Sequence, residues 1–212
     1  MFIRSLRFLG LYLCRVVSRP LGCEQAPQGP IRYCLIGERD LLPHCADAAL
    51  ELSERHVRSA SSRGDLCVAA FEGERLVGYE WLAFRRTPHI DGVWVDFDPG
   101  SRYGYKKFVR RELRGRHIAA GLSAYGDPWC LRRGCTRTIA FIDLDNAPSW
   151  RASARLGSRT IGYAGYLKLF GLFVAFRSKG VKALGFRFEA PAYCGIHRPW
   201  FFSLTPPSDK GN

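Results

Sequence analysis

Residues 114–119, with the sequence RGRHIA, combine residue types that bind anions at the start of a helix. They follow an aromatic, strand-like segment at 103–109 and open a segment whose apolar residues recur at helical spacing: Ile118, Leu122, Tyr125 and Trp129. The free backbone N–H groups of a first helical turn point at an anion, and the helix dipole adds attraction. Arg114 and Arg116 add forked positive charges. The sequence therefore predicts a phosphate site in this turn.

The patterns around this turn predict a mixed α/β fold. Strands are predicted at 31–36, 66–71, 75–84, 92–97, 103–109, 138–144, 161–169 and 183–189. Helices are predicted at 43–62, after the basic turn, and from an Asn146 cap to about Gly157. The tight turn at 72–74 makes 66–84 a hairpin, and the apolar run at 138–144 is typical of a buried central strand. The helix between 103–109 and 138–144 is then a crossover.

Three regions are expected along the 212 residues. Residues 1–30 are a basic apolar segment and linker, 31–190 are the main domain, and 191–212 are a polar, aromatic tail. The apolar stretch at 8–14 is too short to span a bilayer. Residues 1–20 suit either a basic amphipathic helix in peripheral contact with a membrane or, as we favour, a helix or strand packed on the domain.

The net charge and the spacing of the cysteines indicate which classes of partner and which cellular compartment to expect. The net charge of +13 favours an anionic partner such as a nucleotide-bearing cofactor, a nucleic acid, an acidic carrier protein or a lipid surface. Residues 102–116 are basic and aromatic, but strand alternation divides their charges between two faces, so we do not expect a nucleic-acid site. The eight cysteines form no C-x-x-C pair, and the histidines lack metal-ligand spacing. We expect free thiols, a cytoplasmic location and no metal.

Two motifs give this chain a resemblance to the GNAT superfamily of acyl-CoA N-acyltransferases. In the signature Q/R-x-x-G-x-G/A, Arg114 fills the first position and Ala119 the last, while His117 replaces the middle glycine. A second motif, N-x-x-(S/A)-x-x-x-Y-x-x-x-G-F, is matched at three positions and departs at Ser153 and Ser158. The matched residues are Asn146, Ser149 and Gly157. The resemblance covers about residues 31–167.

This resemblance implies a fold and a donor site. The fold is a twisted, mostly antiparallel sheet with a central pair of parallel strands that splay apart, flanked by helices. The pantetheine arm of acetyl-CoA, or of another acyl-CoA, would pair with the strand that ends at Phe108 and Val109. Its pyrophosphate would contact the turn that follows, and the second motif would lie nearby. The implied donor-binding residues are Arg114, Gly115, Arg116, His117, Ile118, Ala119, Asn146 and Ser149.

The resemblance also implies a reaction. An amine on a small molecule or peptide would attack the thioester directly, so the protein would be an N-acetyltransferase. Glu80 and Asp143 are the candidate carboxylates, and Tyr163 and Tyr166 are the candidate acids, because Ser153 stands where the family has tyrosine. The acceptor pocket would involve the first helix, residues 85–100 and the C-terminal segment.

Several alternatives stay open from the sequence. The acyl chain could be long, or its donor could be an acyl carrier protein rather than CoA. The oligomeric state, including a dimer, is undecided. A different class of protein also fits: a catalytically weakened binding or regulatory protein that uses the same fold on nucleic acid, membrane or a carrier protein.

Overall fold

A computed structural model of the protein describes residues 10–22, 29–90 and 92–190. The described strands are β1 Leu11–Pro20, β2 Ile31–Ile36, β3 Leu66–Glu72, β4 Arg75–Ala83, β5 Thr87–Ile90, β6 Val93–Asp96, β7 Ser101–Val109, β8 Arg137–Asp143, β9 Arg159–Leu169, β10 Leu172–Arg177 and β11 Arg187–Glu189. The described helices are α1 Glu38–Leu41, α2 Glu54–Ser62, α3 Ile118–Leu131, α4 Ala147–Arg155 and α5 Lys179–Lys182. Short 3₁₀ turns lie at Leu42–Ala46, Ala48–Leu50 and Arg111–Leu113.

The described strands form two sheets. The large one has the order β10-β9-β1-β8-β7-β4-β3-β2, and the small one has the order β11-β6-β5. Strands β7 and β8 run parallel, while the other described pairs run antiparallel. The helix α3 makes the crossover that a parallel pair requires. This architecture confirms the predicted fold class, including the hairpin of β3 and β4 and the crossover helix.

Two faces of the large sheet carry different layers. On one face, α3 packs over β2, β3, β4 and β7. On the other face, the small sheet covers β1, β8 and β9, while α1 and α2 cover the outer strands. Gly121 lets α3 approach β2, because a Cβ at this position would lie 2.2 Å from the ring of Tyr33. These layers leave the two parallel strands in the middle of the molecule.

The strand β1 lies inside the large sheet, between β8 and β9. Residues 11–20 therefore form a strand packed in the domain, in agreement with the favoured alternative, and not an amphipathic helix. The sheet thus includes residues that precede the predicted boundary at Ile31. A buried ion cluster fixes this position: Arg19 and Arg102 both bond the Asp127 carboxylate of α3 at 2.6 Å. Residues 1–9, the linker at 23–28 and the tail at 191–212 lie outside the described residues.

Local backbone chemistry explains where the predicted elements differ from the observed ones. The helix predicted at 43–62 is broken, because the side chains of Asp47 and Ser53 each cap a new turn and Glu51 is left-handed. Residues 87–90, predicted as a break at Pro88, form an edge strand of the small sheet, where proline is tolerated.

Two further differences concern the surface. Strand β10 was not predicted; it follows β9 through a tight turn in which Phe170 and Gly171 both have positive φ. The predicted buried face of α3 is correct at Ile118 and Leu122, but Trp129 is 39% exposed. The guanidinium of Arg132 covers the Trp129 ring at 4.1 Å.

Candidate active site

The parallel strands β7 and β8 separate after a short paired stretch. Their pairing begins at Ser101 with Arg137 and ends at Tyr103 with Ile139. Beyond Tyr103, β7 continues to Val109 and remains paired with β4 on its other edge. The inner edge of β7 and the end of β8 therefore face each other across a wedge-shaped opening, where a further extended chain could pair with β7.

A β-bulge lies in the part of β7 that borders the wedge. Tyr79 faces Phe108 and Trp81 faces Tyr105, so the single residue Glu80 lies opposite two lysines, Lys106 and Lys107. Lys106 has a φ of 45°. Lys107 contacts α3, while Lys106 lines a pocket on the other side of the sheet. Tyr105 lines the same pocket, so the bulge places two consecutive residues on one face. The expected division of the basic residues between two faces is confirmed at these lysines.

The turn that precedes α3 presents unpaired backbone donors. Gly115 and His117 both have positive φ, at 91° and 59°, and the His117 carbonyl accepts the first bonds of the helix. Four N–H groups of this turn donate to no acceptor within the described residues. These N–H groups belong to Gly115, His117, Ile118 and Ala119. Such a group of donors at a helix start has the chemistry of an anion site.

Two arginines flank this turn. The Nε of Arg114 donates to the Val109 carbonyl at 3.2 Å, which holds the guanidinium against the end of β7. Arg116 reaches Glu72 at 3.4 Å across the solvent-exposed surface. Phe108 is buried and stacks on Tyr79 at 5.4 Å, so it supports the strand from behind. The predicted residues of this segment thus form one connected unit at the end of the wedge.

The second motif forms the start of α4. Asn146 caps this helix, and its Oδ1 accepts from the Ser149 N–H at 3.1 Å. Gly157, with a φ of 79°, follows the last turn. The predicted cap and helix are confirmed. Because Asn146 already satisfies the Ser149 N–H, this helix start offers fewer free donors than that of α3.

Glu80 lies beneath α3 and is 3% exposed. Its carboxylate accepts from the Ser123 hydroxyl at 2.9 Å and pairs with the Lys107 ammonium at 3.1 Å. Lys107 in turn donates to Ser123 at 2.7 Å. A Cβ placed on Gly104 would lie 3.1 Å from Glu80, so the carboxylate is next to the wedge on the α3 face. The three polar groups hold both strands of the bulge against the helix.

Asp143 ends β8 on the opposite face of the wedge. The hydroxyl of Tyr12, from β1, donates to its carboxylate at 2.6 Å. Burial, the nearby Cys14 and the bond to Asp143 raise the pKa of Tyr12, so the phenol stays protonated. The sequence did not indicate Tyr12, because β1 was expected to lie outside the domain. In the sequence, residues 11–16 form an apolar run that only Arg15 interrupts, whereas their alternating burial is visible only in the folded structure.

The two tyrosines predicted as acids lie one strand further from the wedge. Both belong to β9, and β1 separates β9 from β8. Tyr166 is buried and stacks on Tyr12 at 5.1 Å, whereas Tyr163 is 45% exposed. Strand order rather than sequence distance therefore brings Tyr12, and not Tyr163, next to Asp143.

A cavity of about 300 Å³ opens on the face of the wedge that carries Asp143. Its lining residues are His56, Pro88, His89, Tyr103, Tyr105, Lys106 and Phe141. His89 also contacts Tyr12, with 5.2 Å between ring centroids. The first helical region and residues 85–100, both expected around the acceptor, contribute to this lining. The sequence indicated neither histidine as a site residue, since both stand alone in the chain.

The cavity and the wedge share the chemistry of group transfer between two bound molecules. The edge of β7 has room for an extended chain with an anionic end at α3, and the adjacent cavity has room for a second molecule. Among the described residues, no group of three or more His, Cys, Asp or Glu side chains could hold a metal ion. None of the described helices is long and apolar enough to cross a membrane.

Comparison with known proteins identifies the family. The sequence profile of the acetyltransferase (GNAT) family matches residues 38–158. The chain therefore belongs to this family, whose members transfer acyl groups. It is also 30% identical over 123 residues to the mycothiol acetyltransferase of Corynebacterium jeikeium, a match that covers 54% of this chain and 34% of that protein. The matched region thus spans about a third of this relative.

Solved structures show the same fold at low sequence identity. A GNAT-family acetyltransferase from Novosphingobium aromaticivorans superposes with a TM-score of 0.52 at 15% identity, covering 86% of this chain and 69% of its own. A GCN5-related N-acetyltransferase from Kribbella flavida gives a TM-score of 0.51 at 12% identity, covering 85% of this chain and 65% of its own. These similarities concern the fold alone.

Proposed function

We propose that the protein is an N-acetyltransferase that moves an acetyl group from acetyl-CoA to an amine. The observation that carries the proposal is the wedge between β7 and β8, which ends beside the free N–H groups at the start of α3. An extended arm with a diphosphate at one end matches both features. Membership of the GNAT family supports the same assignment.

In this proposal the donor follows β7. Its pantetheine arm pairs with the inner edge of β7 up to Phe108 and Val109, as an added strand would. The diphosphate lies on the N–H groups of Gly115, His117, Ile118 and Ala119. Arg114 and Arg116 neutralise its charge, while Asn146 and Ser149 lie across the wedge at the start of α4. His117 is compatible with this site because main-chain N–H groups, which survive a change of side chain, provide the contacts.

The reaction is direct transfer. The nitrogen lone pair of the acceptor attacks the thioester carbon, a C–N bond forms, and the C–S bond breaks to release a thiolate. Asp143 takes the proton that the amine loses, and Tyr12 supplies a proton to the thiolate and recovers one through Asp143. Tyr12 takes the role predicted for Tyr163 and Tyr166 because β1 lies next to β8.

Glu80 has a positioning role in this proposal. Its carboxylate is already paired with Lys107 and Ser123, on the face of the sheet opposite the cavity. Glu80 therefore holds the bulge of β7, and with it the edge along which the donor lies.

Ligand-dependent stability tests the donor site. CoA and acetyl-CoA, present at about 100 times their Kd, should each raise the free energy of unfolding by about 3 kcal/mol. Arg114→Glu replaces an attractive charge with a repulsive one beside the diphosphate, which should weaken CoA binding by about tenfold to a hundredfold. Arg55→Glu on exposed α2 makes the same change of charge away from the wedge and should leave Kd unchanged.

The outcomes separate the alternatives. If CoA binds equally well to the Arg114→Glu variant, the diphosphate does not lie at this turn. If CoA binds but no amine of a broad panel is acetylated, the protein is a binding protein on this fold. A series of acyl-CoA donors of increasing chain length, and an acylated carrier protein, decide the identity of the donor.

A further inference from the structure

One wall of the cavity is a stack of three aromatic rings. The ring of Tyr103 lies nearly parallel to that of Tyr105, with 5.5 Å between centroids and 9° between planes. It is also nearly parallel to that of Phe141, at 5.9 Å and 18°. These three rings bridge β7 and β8 on the cavity side. A planar aromatic group on the ligand would pack against such a wall.

The cavity also has a positive charge and no acidic lining residue. Lys106 lines it, and none of its seven lining residues is an aspartate or glutamate. Asp65 lies behind Tyr105, but the Tyr105 hydroxyl donates to it at 2.7 Å and Arg63 pairs with it at 2.8 Å. Within the described residues, no carboxylate lies within ion-pair distance of Lys106. Glu51 acts on Lys106 electrostatically without forming an ion pair with it, so the ammonium group can still pair with an anionic ligand.

His56 supplies a hydrogen-bonding nitrogen at the same cavity. Its Nε2 is buried and has no hydrogen-bond partner among the described residues. Its ring meets Trp81 and Tyr105 edge-on, at 5.3 and 5.7 Å between centroids. Burial lowers the pKa of His56 to about 4, and Lys106 and Arg63 act in the same direction. The imidazole is therefore neutral at pH 7, and an unprotonated ring nitrogen can accept an N–H.

We propose that this cavity binds the acceptor, and that the acceptor is an aromatic primary amine carrying an anionic group. The aromatic group packs against the stack of Tyr103, Tyr105 and Phe141, the anion pairs with Lys106, and the amine donates to His56 Nε2 while its lone pair faces the thioester carbon. This assignment rests on the proposed function and adds the class of substrate. A polycationic amine is disfavoured, because Lys106 would repel its additional positive charges, while Asp143 faces the reacting amine alone.

Matched pairs of amines test the class of acceptor. The full-length protein is given acetyl-CoA, and released CoA thiol is followed with a thiol reagent. Phenylalanine is compared with phenylalaninamide, and tyramine O-phosphate with tyramine; kanamycin and glucosamine represent polycationic and sugar amines. We expect kcat/KM to be at least tenfold higher for an anionic member than for its neutral partner. The two pairs distinguish a carboxylate from a phosphate as the preferred anion.

Two variants assign the roles of individual residues. Lys106→Gln should raise KM for the anionic amine at least tenfold, with little change for its neutral partner. Lys182→Gln removes an exposed lysine of α5 and should change neither. His56→Gln should raise KM for both members of a pair without altering the Kd of CoA.

The results distinguish this inference from the proposed function. If CoA does not bind or no amine is acetylated, the proposed function fails. If CoA binds and the protein prefers neutral amines, kanamycin or glucosamine, only the assignment of the acceptor class is wrong. If Lys106→Gln lowers kcat/KM equally for anionic and neutral amines, Lys106 does not bind the anion, and the inference is overturned.

Discussion

The buried Glu80 permits a test that distinguishes a positioning role from a catalytic one. Glu80→Gln keeps the size of the side chain and one acceptor oxygen, but removes the charge that faces Lys107 at 3.1 Å. A hydrogen bond to a charged group contributes about 1.5–3 kcal/mol. Lys107 is 31% exposed and can turn towards water, so the lower half of that range applies. We expect a loss of about 2 kcal/mol in the free energy of unfolding.

Urea unfolding measures this loss. At a slope of about 2 kcal/mol/M, the midpoint should fall by about 1 M, and the melting temperature should fall by roughly 4–8 °C for a domain of this size. Glu112→Gln is the matched control, because its ion pair with Arg75 is exposed on both sides at 53% and 54%. Exposed pairs contribute little, so this variant should leave the unfolding midpoint almost unchanged.

Kinetics complete the test. If Glu80 holds the bulge, Glu80→Gln should weaken CoA binding together with turnover, since the edge of β7 is then less well fixed. A variant with unchanged unfolding midpoint and unchanged CoA affinity, but with strongly reduced kcat, would refute the positioning role and favour the catalytic one.

Three further predictions concern stability. Asp127→Asn leaves Arg19 and Arg102 without a buried counter-charge and should cost about 3–5 kcal/mol, as measured by denaturant unfolding; an effect below about 1 kcal/mol would contradict the burial of this cluster. Because the pKa of His56 is about 4 in the folded protein and about 6.5 when unfolded, the unfolded chain binds the proton first as pH falls. The contribution of neutral His56 to the free energy of unfolding is fully present above pH 6.5, and it is lost as the pH falls towards 4. The loss is about 2 kcal/mol after allowance for partial exposure, and His56→Gln should lack this part of the pH dependence. His117 has a φ of 59°, so His117→Val should unfold about 1–2 kcal/mol more easily than His117→Gly, and equal stabilities would contradict a left-handed residue there.

Features set by neighbouring residues could be predicted from the sequence. The cap at Asn146, the hairpin of β3 and β4, and the turn before α3 depend on residues within a few positions of one another. The same is true of the motifs that carry the family resemblance. Local steric and hydrogen-bonding preferences decide such features, so a single sequence is sufficient to indicate them.

Contacts between distant segments were decided by the tertiary structure. Tyr12 meets Asp143 across 131 positions because β1 enters the sheet between β8 and β9, and no local pattern specifies that neighbour. Glu80 meets Lys107 and not Lys106 because the bulge in β7 shifts the alternation of its side chains, and it meets Ser123 because α3 packs over β4. His56 and His89 stand alone in the sequence, and they line the same cavity only after α2 and β5 pack beside the separated strands. The order of residues in the chain thus determined the turn before α3, where we propose that the diphosphate binds, whereas long-range strand pairing determined which side chains surround the place where transfer is proposed.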